Sequence, residues 1–217
     1  MKNILAIGAH PDDLEFGCFG TLKKLKDQGK NITLVVMTAS DVVHSQTSKS
    51  TRTKEQSIIE AKEAAKVIDA DLILLPYQDG QVPFSKETVH DIEKIIGEKN
   101  IDTIFTHWGG DTHQDHINTL DATLAASRMV NNVFCYEQVP LPRVCTTYPV
   151  ANFYVDITDT IEYKIEASKK HDSQIQKYIN QDIDLIDNLK TLARFRGIQI
   201  GAKYAEAFNV LKYRYDS

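Results

Sequence analysis

Short apolar segments that alternate with helical patterns constrain the fold of this chain more than any other feature. Each segment is almost wholly apolar, rich in β-branched residues and bounded by turn residues, so each predicts a buried strand. The predicted strands are Ile4 to Ala9, Asn31 to Thr38, Leu72 to Leu75 and Ile101 to Thr106, and the predicted helices run from about Gly17 to Gln28, from Thr51 onward, from Lys86 to Glu98 and from Ile117 to Met129. This alternation predicts an α/β fold with a mainly parallel sheet and helices on both faces, a three-layer α/β/α arrangement.

The first predicted strand ends in a group of titratable side chains, His10-Pro11-Asp12-Asp13. In open α/β sheets, ligands bind in the crevice outside the carboxyl ends of the strands. Three titratable side chains in such a turn are costly to bury unless something, such as a metal ion, uses them. Taken alone, the turn is also typical of a helix N-cap, in which an Asp accepts backbone N–H bonds.

A second group, His113-Gln114-Asp115-His116, lies between the end of the fourth predicted strand and the next helix. Because parallel strands place their carboxyl ends at one edge, the two loops can converge. Catalytic zinc typically has three protein ligands of the His or carboxylate type and keeps a fourth position for water. His10, Asp13 and His116 supply that set, which favours a metal site over a helix cap. Iron(II) or cobalt would also accept these ligands.

The remaining side chains of the two loops can then take part in catalysis. Asp12 lies beside a ligand without being one, and it can accept a proton from the attacking water. His113, as a cation, can stabilise the oxyanion of a tetrahedral intermediate or donate a proton to a leaving amine. Asp115 can hold His113 in orientation. We therefore predict Asp12, His113 and Asp115 as the catalytic residues.

The two motifs together, Ala9-His10-Pro11-Asp12-Asp13 and His113-x-Asp115-His116, resemble those of the zinc-dependent PIG-L (LmbE-like) de-N-acetylase family. The resemblance covers nearly the whole chain, and its other motifs are Arg52-x-x-Glu55, Asp79-Gly80, Val155-Asp156-Ile157, His171-x-Ser173-Gln174 and Tyr204-Ala205-Glu206-Ala207-Phe208. Two positions depart from the family pattern. Gln114 stands where the family usually has Pro, and Leu14 precedes the carboxylate of Glu15. Neither departure removes a predicted ligand.

The resemblance implies a Rossmann-like fold and zinc bound by His10, Asp13 and His116. It implies Asp12 as general base and His113 as an electrostatic or acid partner. It also implies that Arg52 and Asp79 contact the sugar of a small-molecule substrate, and that the protein forms a homo-oligomer, a trimer or hexamer. Members of this family remove acetyl groups from N-acetylglucosaminyl compounds.

Charge and cysteine content limit the classes of partner. The formal net charge of -5 argues against a nucleic-acid binder, which would normally have a basic face. The three cysteines lack CxxC spacing, so they predict neither a disulfide framework nor a structural zinc site. No apolar stretch approaches the ~18 residues of a membrane-spanning helix, and no signal-peptide pattern precedes the first strand. We expect one domain over residues 1–217 and a cytoplasmic location, with no nucleic-acid partner and no membrane span.

Together, these observations predict that the protein is a metal-dependent hydrolase that cleaves the acetamide of an N-acetylated amino sugar or its glycoside. One alternative is a zinc amidase that acts on another amide, such as a thiol conjugate, with the same metal ligands. A second alternative is a non-catalytic, Rossmann-like nucleotide-binding module that needs no metal.

Overall fold

The computed structural model of the chain describes residues 1–39, 42–43, 50–139 and 145–214, which contain nine strands and eight helices. The strands are β1 (Asn3–Gly8), β2 (Asn31–Thr38), β3 (Val42–Val43), β4 (Ser50–Arg52), β5 (Asp71–Tyr77), β6 (Thr103–His107), β7 (Asn132–Tyr136), β8 (Phe153–Asp156) and β9 (Ala205–Lys212). The helices are α1 (Asp13–Gly17), α2 (Phe19–Asp27), α3 (Lys54–Lys66), α4 (Lys86–Glu98), α5 (Gln114–Ala126), α6 (Ile161–Lys169), α7 (Asp172–Ile179) and α8 (Leu185–Ile200).

Seven of these strands form one sheet in the order β5-β2-β1-β6-β7-β9-β8, while β3 pairs with β4 in a separate ribbon. The first five strands in this order, β5, β2, β1, β6 and β7, pair in parallel. β9 runs antiparallel to both β7 and β8. β2, which follows β1 in the chain, lies on the side of β1 that faces away from β6. β7, which follows β6, lies on the side of β6 that faces away from β1. The strand order therefore reverses between β1 and β6, which is where a crevice forms outside the carboxyl ends of the strands.

Successive residues of β1 pack on opposite faces of the sheet. Ile4 and Ala6 belong to an apolar cluster that includes side chains from α2 and α3. Leu5 and Ile7 belong to a second cluster, with side chains from α4 and α5. A strand that is buried on both faces has no polar alternation, which explains its continuous apolar sequence. The predicted three-layer α/β/α fold with a mainly parallel sheet is confirmed.

Several elements differ in extent from their predicted bounds. β5 continues through Pro76, where we expected it to stop, and it does so at the edge of the sheet, where a missing N–H is tolerated. The helical region after β1 begins at Asp13 rather than Gly17 and is divided at Cys18. The polar stretch 39–50, which reads as a loop, contributes β3 and the start of β4, while residues 40–41 and 44–49 lie outside the described part.

The long helical region near the C-terminus is three helices, α6 to α8. The sequence pattern predicts one interruption of this region, around Tyr178 to Asp182, and a turn at residues 180–183 does separate α7 from α8. The break at His171, between α6 and α7, is not predicted by the pattern. Within the described ranges, no helix combines the length and the apolar character needed to cross a lipid bilayer.

Candidate metal centre

The candidate site lies at the carboxyl ends of the paired strands β1 and β6. His10 follows β1 directly, and Asp13 is the first residue of α1. His116 lies in the first turn of α5, which begins seven residues after β6. The two loops leave neighbouring strands at the same edge of the sheet, so residues about 100 positions apart in sequence are adjacent in space.

The three predicted metal ligands converge. His10 Nδ1 lies 3.2 Å from His116 Nε2, and it lies 3.5 Å from Asp13 Oδ2. Asp13 Oδ1 lies 3.5 Å from His116 Nε2. Ligands bound at 2.0–2.1 Å to a tetrahedral zinc ion are separated by about 3.4 Å, so these donor spacings fit one shared cation. The two imidazoles and one carboxylate are also ligand types that zinc accepts.

The second ring nitrogen of His10 faces carboxylates. Its Nε2 lies 3.0 Å from Asp115 Oδ2 and 3.4 Å from Asp79 Oδ1. Asp115 is in turn fixed by the backbone, because its carboxylate accepts hydrogen bonds from the amides of Gly80 at 2.6 Å and Val82 at 3.0 Å. The Asp115 carboxylate therefore orients His10, and not His113 as we expected.

His116 has a carboxylate partner of its own, which sequence reasoning missed. Asp111 Oδ2 lies 2.7 Å from His116 Nδ1, and Asp111 Oδ1 accepts a hydrogen bond from the amide of His113 at 2.8 Å. Burial would raise the pKa of Asp111, but the hydrogen bonds from His116 and the His113 amide lower it to about 2. An ionised carboxylate on the far nitrogen of a ligating histidine fixes its tautomer and increases its basicity. The only sequence signal was a carboxylate just beyond the end of a strand.

Asp12 adopts an unusual backbone conformation between the two ligands of the first loop. Its φ of 123° and ψ of -25° lie in a region that non-glycine residues rarely occupy, and such conformations cluster at functional sites. Burial and the adjacent Asp13 carboxylate raise the pKa of Asp12 to about 6, against the opposing charge of Arg52. A carboxylate with a raised pKa is suited to accept a proton near neutral pH.

His113 is the N-cap residue of α5, and the hydrogen bond that its side chain accepts from the helix backbone defines which ring nitrogen carries the proton. The backbone amide of Asp115 donates to His113 Nδ1 at 3.3 Å, so the neutral ring carries its hydrogen on Nε2. Burial and the charges of His10 and His116 lower the pKa of His113. The structure therefore favours a neutral imidazole with an Nε2–H donor over the cation that we expected.

A fourth histidine, His107, lies beside this cluster at the end of β6. It is fully buried, and its ring stacks on His116 with centroids 4.2 Å apart. Its Nε2 accepts a hydrogen bond from the amide of Ala9 at 3.0 Å, although the ring belongs to one possible metal-binding group with Asp13 and His116. Burial and the neighbouring His116 lower the pKa of His107 to about 4. We interpret His107 as a structural support for the first loop.

A cavity of about 280 Å³ contains almost all of the predicted site. Of the eight predicted site residues, seven line it, and Asp115 lies behind His10. Phe16, Val139 and Tyr178 add apolar surface, while Gln138, Gln174 and Lys177 add polar groups that sequence reasoning did not select. The lining residues are His10, Asp12, Asp13, Phe16, Arg52, Asp79, His113, His116, Gln138, Val139, Gln174, Lys177 and Tyr178.

Arg52 and Asp79, predicted as substrate contacts, lie on the cavity wall. Arg52 is buried and donates from Nη1 to the carbonyl oxygen of Pro11 at 3.3 Å, with Glu60 nearby at 3.9 Å. Its Nε has no hydrogen-bond partner among the described residues. Asp79 contacts His10, and this partner lowers the pKa of the Asp79 carboxyl. Both side chains thus contact residues of the first loop and also line the cavity.

Comparison with known proteins identifies related chains across this fold. Residues 5–127, which include every predicted site residue, match the PIG-L family, described as GlcNAc-PI de-N-acetylase. The Escherichia coli (strain K12) protein named uncharacterized deacetylase YaiS is 30% identical over 183 residues, covering 79% of this chain and 91% of its own length. The diacetylchitobiose deacetylase of Thermococcus kodakarensis is 25% identical over 222 residues, covering 95% of this chain and 82% of its own length.

A solved structure shows the same architecture. The N,N'-diacetylchitobiose deacetylase from Pyrococcus horikoshii, determined with its inhibitor MPG, superimposes with a TM-score of 0.76 at 26% identity. The match covers 97% of this chain and 84% of that one. The similarity therefore extends beyond the family match to the C-terminal helices and β9.

Proposed function

The chain belongs to the PIG-L family of de-N-acetylases, and from this premise we propose that it hydrolyses the N-acetyl group of an N-acetylated amino sugar. The products are acetate and the free amine. The diacetylchitobiose deacetylases that it resembles carry an N-acetyl sugar substrate in their names, which supports the sugar class. The observation that carries the proposal is the convergence of His10, Asp13 and His116 in a cavity that also contains Asp12 and His113.

We assign Zn²⁺ to His10, Asp13 and His116. When bound in such a set, zinc acts as a Lewis acid that polarises a carbonyl and lowers the pKa of water. Asp115 and Asp111 accept hydrogen bonds from the far nitrogens of His10 and His116, so each imidazole presents its other nitrogen to the shared position. This arrangement of carboxylates behind ligating histidines supports a metal role for the cluster.

Asp12 serves as the general base in this proposal. Asp12 lines the same cavity as the predicted ligands and stands between His10 and Asp13 in the first loop. It removes the proton from the attacking water and can return it to the leaving amine. The positive φ of 123° at Asp12 is costly for a residue other than glycine, and such conformations cluster at functional sites.

His113 stabilises the oxyanion through its Nε2–H. Its ring centroid lies 4.8 Å from that of His10 and 4.6 Å from that of His116, so it borders the ligand cluster. The α5 cap on Nδ1 keeps the donor nitrogen directed away from the helix backbone. A fixed donor next to the place where negative charge develops needs no reorganisation during the reaction.

The polar wall of the cavity would bind the sugar. Arg52 supplies N–H donors and Asp79 supplies acceptors, and together they can satisfy the hydroxyl groups of a pyranose ring. Tyr178 adds an aromatic surface on the same cavity. The buried donor Nε of Arg52 has no partner among the described residues, which supports a substrate contact at this position.

Acetate release from the zinc-loaded chain tests this function. The panel contains N-acetylglucosamine, its β-glycosides and its disaccharide, together with amide conjugates that lack a sugar. Acetate from one or more of the N-acetyl sugars is the expected result. Cleavage of the sugar-free amides alone would favour the amidase alternative. A chain that binds no zinc and releases no acetate would favour the nucleotide-binding alternative.

Two further properties remain proposals. We propose a homo-oligomer, a trimer or hexamer, and light scattering on the purified chain measures its mass directly. We also propose a cytoplasmic location, which fractionation of the source cells would test.

A further inference from the structure

Gln138 lies two residues beyond the end of β7 and contacts a predicted metal ligand directly. Its Nε2 donates to Asp13 Oδ1 at 2.6 Å, and its side chain lines the same cavity as His10 and His116. β7 neighbours β6 in the sheet, so a third loop at the same edge contributes to the site. Neither of the two sequence motifs includes this residue.

The chemistry of Asp13 determines which end of the Gln138 amide faces it. An ionised carboxylate only accepts hydrogen bonds, so the NH₂ group must point toward Asp13 and Oε1 must point away. Oε1 is buried and accepts no hydrogen bond from the described part of the chain. A buried acceptor without a partner destabilises the folded state. Among the described residues, the contact with Asp13 is therefore the hydrogen bond that the Gln138 side chain contributes.

Each oxygen of the Asp13 carboxylate has its own donor. Oδ2 accepts from the backbone amide of His10 at 2.7 Å, while Oδ1 accepts from Gln138. The same two oxygens face His10 Nδ1 and His116 Nε2, at 3.5 Å each. Rotation of the carboxylate would break both hydrogen bonds. Its plane is therefore fixed relative to the two imidazoles by one backbone group and one side chain.

A neutral amide is well suited to this contact. A lysine or arginine at the same place would also donate to Asp13, but its positive charge would repel a bound cation. The preceding residue anchors the segment, because Glu137 accepts two hydrogen bonds from the Arg196 guanidinium of α8, at 2.7 and 2.5 Å. Gln138 is thus adjacent to a residue that is anchored to α8.

We propose that Gln138 is a positioning residue that holds the Asp13 carboxylate in the orientation needed to bind a divalent cation with His10 and His116. The inference rests on the proposed function, because it assumes a metal ion at these three residues. Hydrogen-bond partners behind metal ligands typically change metal affinity by about 10- to 100-fold. Gln138 would accordingly contribute to metal affinity without touching the metal or the substrate.

The test measures zinc affinity by competition with a chromophoric chelator for the whole chain and for Gln138→Met. Methionine has a similar volume but no N–H donor. The matched control is Gln174→Met, which makes the same change in the same cavity, on α7, at a side chain that forms no hydrogen bond to the three ligands in the described structure. The thermal midpoint of the metal-free proteins and the visible spectrum of the cobalt-loaded proteins are recorded alongside.

For Gln138→Met, we expect a dissociation constant for zinc that is about 10- to 100-fold higher and a changed cobalt spectrum. The thermal midpoint of the metal-free variant should be unchanged or higher, because the substitution removes Oε1, an acceptor with no partner among the described residues. A purely structural role would instead lower the midpoint. Should Gln138→Met not fold, Gln138→Asn, whose shorter side chain does not reach Asp13, is judged by the same criterion.

Zinc affinity of Gln138→Met within twofold of the wild-type value would overturn this inference and leave the proposed function intact. A wild-type chain without zinc affinity would overturn both. A wild-type chain that binds zinc, loses affinity in Gln138→Met but hydrolyses no N-acetyl sugar would support the inference and contradict the proposed substrate class.

Discussion

Asp111 Oδ2 lies 2.7 Å from His116 Nδ1, and this pair ties the loop after β6 to the first turn of α5. The other oxygen of Asp111 accepts from the amide of His113 at 2.8 Å. One buried carboxylate thus orients a predicted metal ligand and fixes the backbone that carries His113. Asp111 precedes the His113-x-Asp115-His116 motif, so the motif alone gave no reason to select it.

Asp111→Asn should weaken zinc binding. Asparagine can still accept a hydrogen bond from His116, but it lacks the negative charge that increases the basicity of the imidazole. We expect a loss of affinity of about 10-fold or more, measured by chelator competition. Asp121→Asn, on the exposed side of α5, is the control and should bind zinc as the wild type does. Equal affinities for the two variants would contradict the orienting role of Asp111.

Asp12→Asn should separate catalysis from metal binding. The side chains are isosteric, and asparagine tolerates positive φ, so the loop should keep its conformation. Loss of the general base should lower kcat by about 10²- to 10⁴-fold, while the zinc content of the purified protein stays at the wild-type level. Acetate release and elemental analysis provide the two measurements. Full activity in this variant would remove Asp12 from the mechanism.

Lys164→Met should destabilise the fold strongly. Lys164 and Glu206 form a buried ion pair at 2.6 Å, and Glu206 also accepts from the amides of Gly20 and Thr21 at the start of α2. Removing one partner leaves an uncompensated buried charge, which costs about 3–5 kcal/mol in the free energy of unfolding. Urea denaturation measures the loss. The double variant Lys164→Met, Glu206→Gln should lose less free energy of unfolding than the two single variants lose together.

Stability should depend on pH through Asp102. Burial opposes ionisation, but hydrogen bonds from the Thr103 hydroxyl and the amides of Asn3 and Lys2 lower the pKa of Asp102. A lowered pKa in the folded state stabilises the protein above the unfolded pKa of about 3.9, and this contribution is lost as pH falls through the folded pKa.

Asp102→Asn should therefore be less stable than the wild type at pH 7, and the difference should shrink below about pH 4. Urea denaturation at pH 7, 4 and 3 measures the free energy of unfolding of both proteins. A difference that is constant across these pH values would show that the charge of Asp102 does not contribute.

Gly17→Ala should also destabilise the fold. A Cβ at position 17 would lie 2.5 Å from the Cδ2 atom of Tyr136, whose buried hydroxyl donates to the carbonyl oxygen of Ile7 at 3.2 Å. Overpacking of this kind costs about 1–3 kcal/mol. Gly97→Ala on α4 is the matched control, because its Cβ would meet no atom within 4 Å. Thermal unfolding should show a lower midpoint for Gly17→Ala and an unchanged or higher one for Gly97→Ala.

Prediction from sequence succeeded where the pattern is local. The bounds of β2 and α4 agree with the predicted bounds, because apolar periodicity and N-cap residues are local properties of the chain. Prediction failed at Pro76, which is tolerated only because β5 is an edge strand, and the position of a strand in a sheet is not a local property.

The same distinction applies to the candidate site. Histidine and carboxylate types at two strand ends predicted that His10, Asp13 and His116 lie together, and the structure brings these three side chains within 3.5 Å of one another. The sequence patterns did not predict the hydrogen-bond partners of these side chains. Asp115 contacts His10 across 105 positions of sequence, and Gln138 contacts Asp13 from a third loop. Such contacts depend on which strands are neighbours and where each loop turns.

The sequence by itself determined the alternation of strands and helices and the two motifs that carry the titratable groups. Strand and helix patterns follow from hydrogen bonding and burial within a few residues of each position. Only the tertiary structure decided which nitrogen of each imidazole faces a carboxylate and which faces the shared position. That choice depends on the pairing of β1 with β6 and on backbone amides such as those of Gly80 and Val82, which lie far in sequence from the two histidine-containing motifs.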